Sequence, residues 1–126
     1  MASAAHRSRE GRRIIVTDDN TSKLTAVTQT LRDAGHCVFG AYDGASALEL
    51  VVQLPFIDLL VTNTRLGVVD GPELMRRARE LRLDLPIIHV IHDGGDDFHP
   101  LPPDILTLRE PFTPERLLTV VRDLLA

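Results

Sequence analysis

The sequence predicts an α/β fold of three layers, with helices on both faces of a five-stranded parallel sheet. Short apolar runs rich in β-branched residues alternate along the chain with segments whose apolar residues recur at helical spacing. Strands that alternate with helices form βαβ units, and right-handed crossovers then place helices on both faces of the sheet. The runs are too apolar for surface strands, which fits a sheet that is covered on both sides.

The first three strands are predicted from apolar runs at residues 14–16, 37–39 and 59–61. The two helices between them are predicted from inward-facing apolar residues at helical spacing, which are Leu24, Val27 and Leu31 in the first and Leu48, Val51 and Val52 in the second. Asp18-Asp19-Asn20 ends the first strand, and Gly35 suits the C-cap of the first helix. Asp43-Gly44 then opens the second helix.

The last two strands are predicted at residues 87–91 and 105–108. The two remaining helices have inward-facing apolar sets, which are Leu74, Ala78 and Leu81 in one and Leu117, Val121 and Leu124 in the other. Pro72 and Pro114 suit first turns, where a missing N–H costs nothing. Thr113 is a good N-cap, and Glu115 adds a negative charge to the first turn. Four arginines are expected to face water: Arg76, Arg77, Arg79 and Arg82.

One helix is missing from the alternation, between the fourth and fifth strands. Residues 93–103 contain two glycines and three prolines. Glycine and proline are the two poorest helix formers, so a regular helix is improbable in so short a stretch. We therefore expect the fourth helix of the alternation to be lost, or reduced to a loop or one turn.

Length and composition set the domain boundaries and exclude several classes of function. The 126 residues suffice for one domain, and 44% apolar residues can build its core. A formal net charge of −4 argues against direct binding of nucleic acid, and the lone Cys37 excludes an internal disulfide. No apolar run approaches the roughly 20 residues of a membrane helix, and residues 1–10 lack a signal-peptide core. We expect a cytoplasmic domain at residues 13–126 behind a disordered leader at residues 1–12.

Polar residues that could form a site follow three of the predicted strands. Asp18 and Asp19 follow the first strand, Asn63 ends the third, and Glu110 follows the fifth. In an open parallel sheet the site lies at the carboxyl ends of the strands. Paired carboxylates at one strand end are ligands for a hard cation such as Mg²⁺. The alternative is that Asp18 or Asp19 only caps the first helix.

Taken together, these features resemble the receiver domain of two-component response regulators, of the CheY-like chemotaxis-regulator type. The resemblance runs from about Arg13 to Ala126. It rests on residues 14–20, 57–66 and 70–74, followed in order by Pro86-Ile87-Ile88 and Glu110-Pro111-Phe112. It implies a flavodoxin-like fold with the strand order 2-1-3-4-5.

The resemblance also implies a reaction, in which a phosphoryl group is accepted by an aspartate at the end of the third strand. In the family an acid pair holds Mg²⁺, a Thr or Ser and a Lys contact the phosphoryl oxygens, and an aromatic residue in the fifth strand reports the change. This sequence keeps the acid pair as Asp18 and Asp19. The other positions are changed, to Asn63 at the acceptor, Ile91 for Thr or Ser, Glu110 for Lys and Thr107 for the aromatic residue, and Gly67 stands for a usual proline.

These changes predict a degenerate form, a pseudo-receiver that does not undergo the family's phosphorylation. An amide such as Asn63 is a very poor nucleophile, Ile91 cannot bond a phosphoryl oxygen, and Glu110 repels the incoming anion. We expect a phosphorylation-independent interaction module of bacterial signalling and not an enzyme. Its partner would be a protein, such as a kinase, a regulator or a fused output domain, or a second copy in a homodimer, with no direct contact to nucleic acid or membrane.

Two alternatives stay open. A receiver of this kind could be phosphorylated at another residue, such as Asp70 or a histidine. A divalent-metal or small-ligand sensor could instead use the acidic pocket, although no cofactor is required. Mg²⁺ or Ca²⁺ would take ligands from a set of Asp18, Asp19, Asn63, Glu110 and the carbonyl of Arg65. Without a metal, Glu110 could pair with Arg65 or Arg109, and repulsion between the carboxylates should raise the pKa of at least one of them.

Histidines and a leucine pair complete the candidates. His89, His92 and His99 could suggest zinc, but His89 and His92 are three apart on a strand and so point to opposite faces. A partly buried histidine is the better interpretation. Leu118 and Leu125 form a second apolar set on the last helix, which predicts either an interface or packing at the edge of the core.

Overall fold

The computed structural model describes residues 11–92 and 101–126. Five strands lie in this part of the chain: β1 (Arg13–Thr17), β2 (Cys37–Ala41), β3 (Leu59–Asn63), β4 (Ile87–Ile91) and β5 (Leu106–Arg109). Four helices lie between and after them: α1 (Thr21–Asp33), α2 (Gly44–Gln53), α3 (Gly71–Leu81) and α4 (Pro114–Leu125). None of these helices is long and apolar enough to pass through a membrane.

The strands form one parallel sheet in the order β2-β1-β3-β4-β5, as predicted. Successive side chains of a strand point to opposite faces, so β1 serves two cores. Ile14 and Val16 join the core under α1 and α4, to which Leu31 and Leu117 belong. Ile15 joins the second core, under α2 and α3. The three layers predicted from the sequence are therefore confirmed.

Two predicted segments lie partly outside the described residues. Of the predicted leader at residues 1–12, residues 1–10 lie outside the described part. Arg12 is described, and its guanidinium donates a hydrogen bond of 2.7 Å to the carbonyl of Leu125. The predicted loss of a helix concerns residues 93–103, of which residues 93–100 lie outside the described part. Residues 101–105 are described and contain no helix.

Each helix begins with a residue whose side chain caps its first turn, in the connection that follows a strand. The four N-caps are Asn20, Asp43, Asp70 and Thr113, and each accepts a hydrogen bond from the backbone N–H three residues later. Such caps satisfy N–H groups that have no partner inside the helix. Neither Asp18 nor Asp19 caps α1, because Asn20 does.

The inward faces of the helices differ in part from the prediction. Val52 is 61% exposed and Leu81 is 55% exposed, so both were wrongly placed in the core. Both stand in the last turn of their helices. Val52 directly follows the buried Val51, and successive residues of a helix differ in direction by about 100°, so Val52 faces outward. Met75 and Val120 are buried instead, and Leu124 is only partly buried.

Two of the four arginines expected to face water are used inside the fold. Arg79 donates a hydrogen bond of 2.7 Å to the carbonyl of Leu85 and pairs with Asp104 at 2.8 Å. Arg82 donates to the carbonyl of Val51 at 2.9 Å, at the end of α2. Carbonyls at a helix end have no partner within the helix, so an arginine from a neighbouring element satisfies them. The pattern of charges along α3 alone could not show this.

Candidate functional site

Three of the predicted site residues meet at the carboxyl edge of the sheet. Asp18 directly follows β1, Asn63 is the last residue of β3, and Glu110 directly follows β5. Asp18 is 4% exposed and Asn63 is 5% exposed. The start of α3 lies against the end of β3, since the N–H of Gly71 donates a hydrogen bond of 2.7 Å to the carbonyl of Thr64.

Asp18 and Asp19 differ in burial. Asp18 is buried, whereas Asp19 is exposed. Asp18 accepts a hydrogen bond of 2.9 Å from the backbone N–H of Asn20, and the nearby side chain of Asn63 lowers its pKa. The buried carboxylate is therefore held by the backbone at the helix cap and lies beside the position that aligns with the family's phosphoryl acceptor.

Burial raises the pKa of the Asp18 carboxyl above its ordinary value. The negative charge of Glu110 raises this pKa further, while the hydrogen bonds from Asn20 and Asn63 and the charge of Lys23 lower it. The predicted rise in the pKa of one carboxyl is confirmed in direction. Its main cause is the loss of solvent around Asp18, and repulsion between carboxylates is the smaller cause.

Glu110 is held by two groups that the sequence did not assign to it. Its Oε1 lies 3.1 Å from Lys23 Nζ and 2.8 Å from His92 Nδ1. The sequence had offered Arg65 or Arg109 as the partner of Glu110. Lys23 lies in the first turn of α1, and His92 follows β4. Helix α1 begins, and β4 ends, at the same edge at which β5 ends, and this shared edge is the sequence signal that could have linked the three residues.

The remaining positions of the predicted degenerate site lie along β4 and β5. Ile91 ends β4, where it is partly buried and pairs with Arg109 of β5. Thr107 is exposed in β5 and pairs with His89. An isoleucine offers no hydrogen bond at the edge, and a threonine in place of an aromatic residue leaves no ring to rotate.

The histidines are separated, as the strand geometry predicts. His89 is buried in β4, and its Nε2 lies 2.8 Å from the hydroxyl of Thr64. His92 is exposed at the rim beside Glu110. His99 lies outside the described residues. Nowhere among residues 11–92 and 101–126 do three histidine, cysteine, aspartate or glutamate side chains come together as a metal-binding group.

The donors at the edge fit Mg²⁺ poorly. A hard cation needs several oxygen ligands that point to one centre. Glu110 is already engaged by Lys23 and His92. Among the described residues no three carboxylate, histidine or cysteine side chains come together around one centre.

The leucine pair of the last helix is partly buried. Leu118 and Leu125 both pack against the core that α4 covers. These contacts favour packing at the edge of the core, which was one of the two predicted roles.

Asp18 gives a prediction about stability and pH. Folding raises the pKa of this carboxyl, so the protonated form stabilises the fold at low pH and that contribution is lost as the pH rises through the folded-state pKa. Asp18→Asn should therefore be more stable than the parent by about 1 kcal/mol at pH 7, and the gain should vanish near pH 3. Urea unfolding at both pH values measures this. Asp19→Asn is the exposed control, and a Asp18→Asn protein less stable at pH 7 would contradict the assignment.

The fold and the edge together define a doubly wound α/β domain with an acidic site at the ends of its strands. A family model for the response regulator receiver domain matches residues 14–98. A response regulator receiver protein, CpdR of Brucella abortus (strain 2308), is 31% identical over 117 residues, which cover 90% of this chain and 97% of that protein. The chain therefore belongs to the response regulator receiver family, whose members act in two-component signalling.

Two further similarities agree with this assignment. The crystal structure of a response regulator receiver protein from Sinorhizobium medicae WSM419 superposes with a TM-score of 0.79 at 32% identity, covering 93% of this chain and 96% of that one. The sensor kinase CckA of Brucella abortus (strain 2308) is 30% identical over 116 residues, and the chain spans only 12% of that protein's length. Receiver domains of this kind thus occur both as nearly the whole of a protein and as a small part of one.

Proposed function

We propose that this receiver domain acts without accepting a phosphoryl group, as a pseudo-receiver that signals through protein contact. One observation carries the proposal. The residue at the end of β3, at the position of the family's acceptor aspartate, is Asn63, and its side chain is buried beside Asp18. A carboxamide at this position is a very poor nucleophile toward phosphorus.

The chemistry of the amide supports the proposal. Formation of an acyl phosphate requires a carboxylate oxygen with an available lone pair. The nitrogen of a carboxamide shares its lone pair with the carbonyl, so it is a very poor nucleophile. An acyl phosphate could form from the carboxamide only if its C–N bond were broken. Asn63 is also 5% exposed, so it has little access to a phosphodonor.

The charge at Glu110 supports it independently. The resemblance to the family implies a lysine at the position of Glu110, and that lysine would stabilise the charge on the phosphoryl group. Glu110 carries the opposite charge, and the two cationic or polar groups near it, Lys23 and His92, already contact its Oε1. An incoming anion would therefore meet a carboxylate at this position, and Lys23 already shares its charge with that carboxylate.

The proposed role is that of an interaction module in the cytoplasm, with no catalytic step of its own and no required metal. A kinase, a regulator or an output domain joined to the same chain would bind the domain in the state described here. The stable, internally paired edge supports this, because a domain that does not switch can offer one fixed surface.

A titration at the edge tests the proposal. Mg²⁺ and then beryllium fluoride, a mimic of a phosphoryl group on aspartate, are added to ¹⁵N-labelled protein. We expect no saturable shifts in the amide signals of Asp18, Asn63 and Glu110. Saturable shifts centred on these residues after addition of beryllium fluoride would contradict the proposal, since they would show an acceptor that still binds the mimic.

A further inference from the structure

The end of the domain opposite the candidate site has an exposed apolar surface. Helices α2 and α3 end there, and the loops that lead into β3 and β4 lie there. Four of the six large apolar side chains that are exposed among the described residues belong to this end. We name these four the base patch: Val52, Phe56, Leu81 and Leu83.

Polar contacts hold the base patch in place. Arg82 lies between its last two members and donates to the carbonyls of Val51 and Leu54, so that the end of α3 is tied to the end of α2. The guanidinium of Arg13 lies 4.4 Å from the centre of the Phe56 ring. The patch is therefore formed by two helix ends and the two loops that follow them.

A groove of about 420 Å³ continues the base patch. Its apolar lining includes Ile57, Leu83 and Leu125. Leu83 is 79% exposed and protrudes beside the groove. Four charged residues also line the groove, so that one surface offers basic, acidic and apolar side chains: Arg12, Arg82, Asp58 and Asp84.

We propose that this end of the domain is a self-association surface, and that a second copy of the same chain covers it. In a two-fold dimer one surface meets itself, so each of its features needs a complement on that same surface. The base patch and its groove contain such complementary features. Leu83 of each copy can enter the groove of the other, and Asp84 of each copy can lie opposite Arg12 of the other. A mixed pair of charges around an apolar centre fits a copy of itself better than a uniformly charged partner.

The interface would leave the candidate site free. The site lies at the carboxyl ends of the strands, and the base patch lies at their amino ends. Self-association of this kind does not depend on the chemistry of Asn63. The proposal therefore goes beyond the proposed function, and either can fail without the other, because one concerns molecular mass in solution and the other concerns phosphoryl transfer.

Sedimentation equilibrium of the 126-residue chain over about a hundredfold range of concentration tests the surface. The parent protein should approach twice its monomer mass as concentration rises. Leu83→Glu should raise the dissociation constant by about tenfold or more, because it puts a charge at the centre of the interface. Val68→Glu is the matched control, since Val68 is fully exposed in a loop at the opposite end, and it should behave as the parent.

Two results would overturn the proposal. One is a parent protein that stays monomeric at every concentration. The other is an equal loss of association in Val68→Glu and Leu83→Glu, which would point to a different surface or to a general effect of charge. Equal melting temperatures of parent and variants establish that any change in mass reflects association and not unfolding.

Discussion

Asn63→Asp alone should leave the protein unphosphorylated by acetyl phosphate and Mg²⁺. The substitution restores a carboxylate at the acceptor position, but Glu110 still places negative charge beside the path of the phosphoryl group. Two like charges 4 Å apart repel by about 4 kcal/mol at an effective dielectric constant near 20, which illustrates the scale of this barrier. Ile91 offers no hydrogen bond in compensation. Intact-mass spectrometry after incubation measures the outcome.

The matched variant is the triple substitution Asn63→Asp, Ile91→Thr and Glu110→Lys. It restores the acceptor, a hydroxyl and a cation together, and it should be labelled at least about a hundredfold faster than Asn63→Asp alone. Labelling of the single variant at the rate of the triple variant would show that Glu110 and Ile91 do not oppose the reaction. Circular dichroism of both variants controls for loss of the fold.

Gly71→Ala should destabilise the protein by about 3 kcal/mol or more. A Cβ at Gly71 would lie 1.9 Å from the carbonyl oxygen of Asn63 and 3.0 Å from the Cα of Thr64. These are backbone atoms at the end of β3, so they cannot move aside as a flexible side chain would. Relief of the overlap would have to shift α3 or the candidate site itself.

The control for this substitution is Gly40→Ala, in strand β2. There a Cβ would meet only the side chains of Leu24 and Thr28, at 3.5 Å, which is an ordinary van der Waals distance. Its effect should stay within about 1 kcal/mol. Urea unfolding of both variants measures the difference. An equal, small loss in the two would mean that the close approach of α3 to β3 is not a constraint on the site.

The fold could be predicted because its signals are local. The short runs that became β1 and β3 are apolar on both faces, which is typical of parallel strands. Thr113 and Pro114 marked the start of α4 by residue type alone. Val52 and Leu81 were placed wrongly because apolar character at approximate helical spacing does not show which residues in the last turn of a helix are buried.

The candidate site could be predicted only in part. The sequence placed Asp18, Asn63 and Glu110 at one edge, because the carboxyl ends of parallel strands meet there. It did not place Lys23 and His92 on Glu110, since those contacts join three elements that are distant in the chain. It placed Asp18 and Asp19 together at this edge, whereas the structure buries only Asp18, because the two residues follow the strand and the alternation of strand side chains gives no guide to their burial.

Phosphorylation of the unaltered protein is the most direct test of the account. The full chain is incubated with acetyl phosphate and Mg²⁺, and its intact mass is compared with that of an untreated sample, with an active receiver domain as the positive control. We predict an unchanged mass while the control is labelled. A stable gain of one phosphoryl group would contradict the account, and peptide mapping would then show whether Asp70, a histidine or another residue had accepted it.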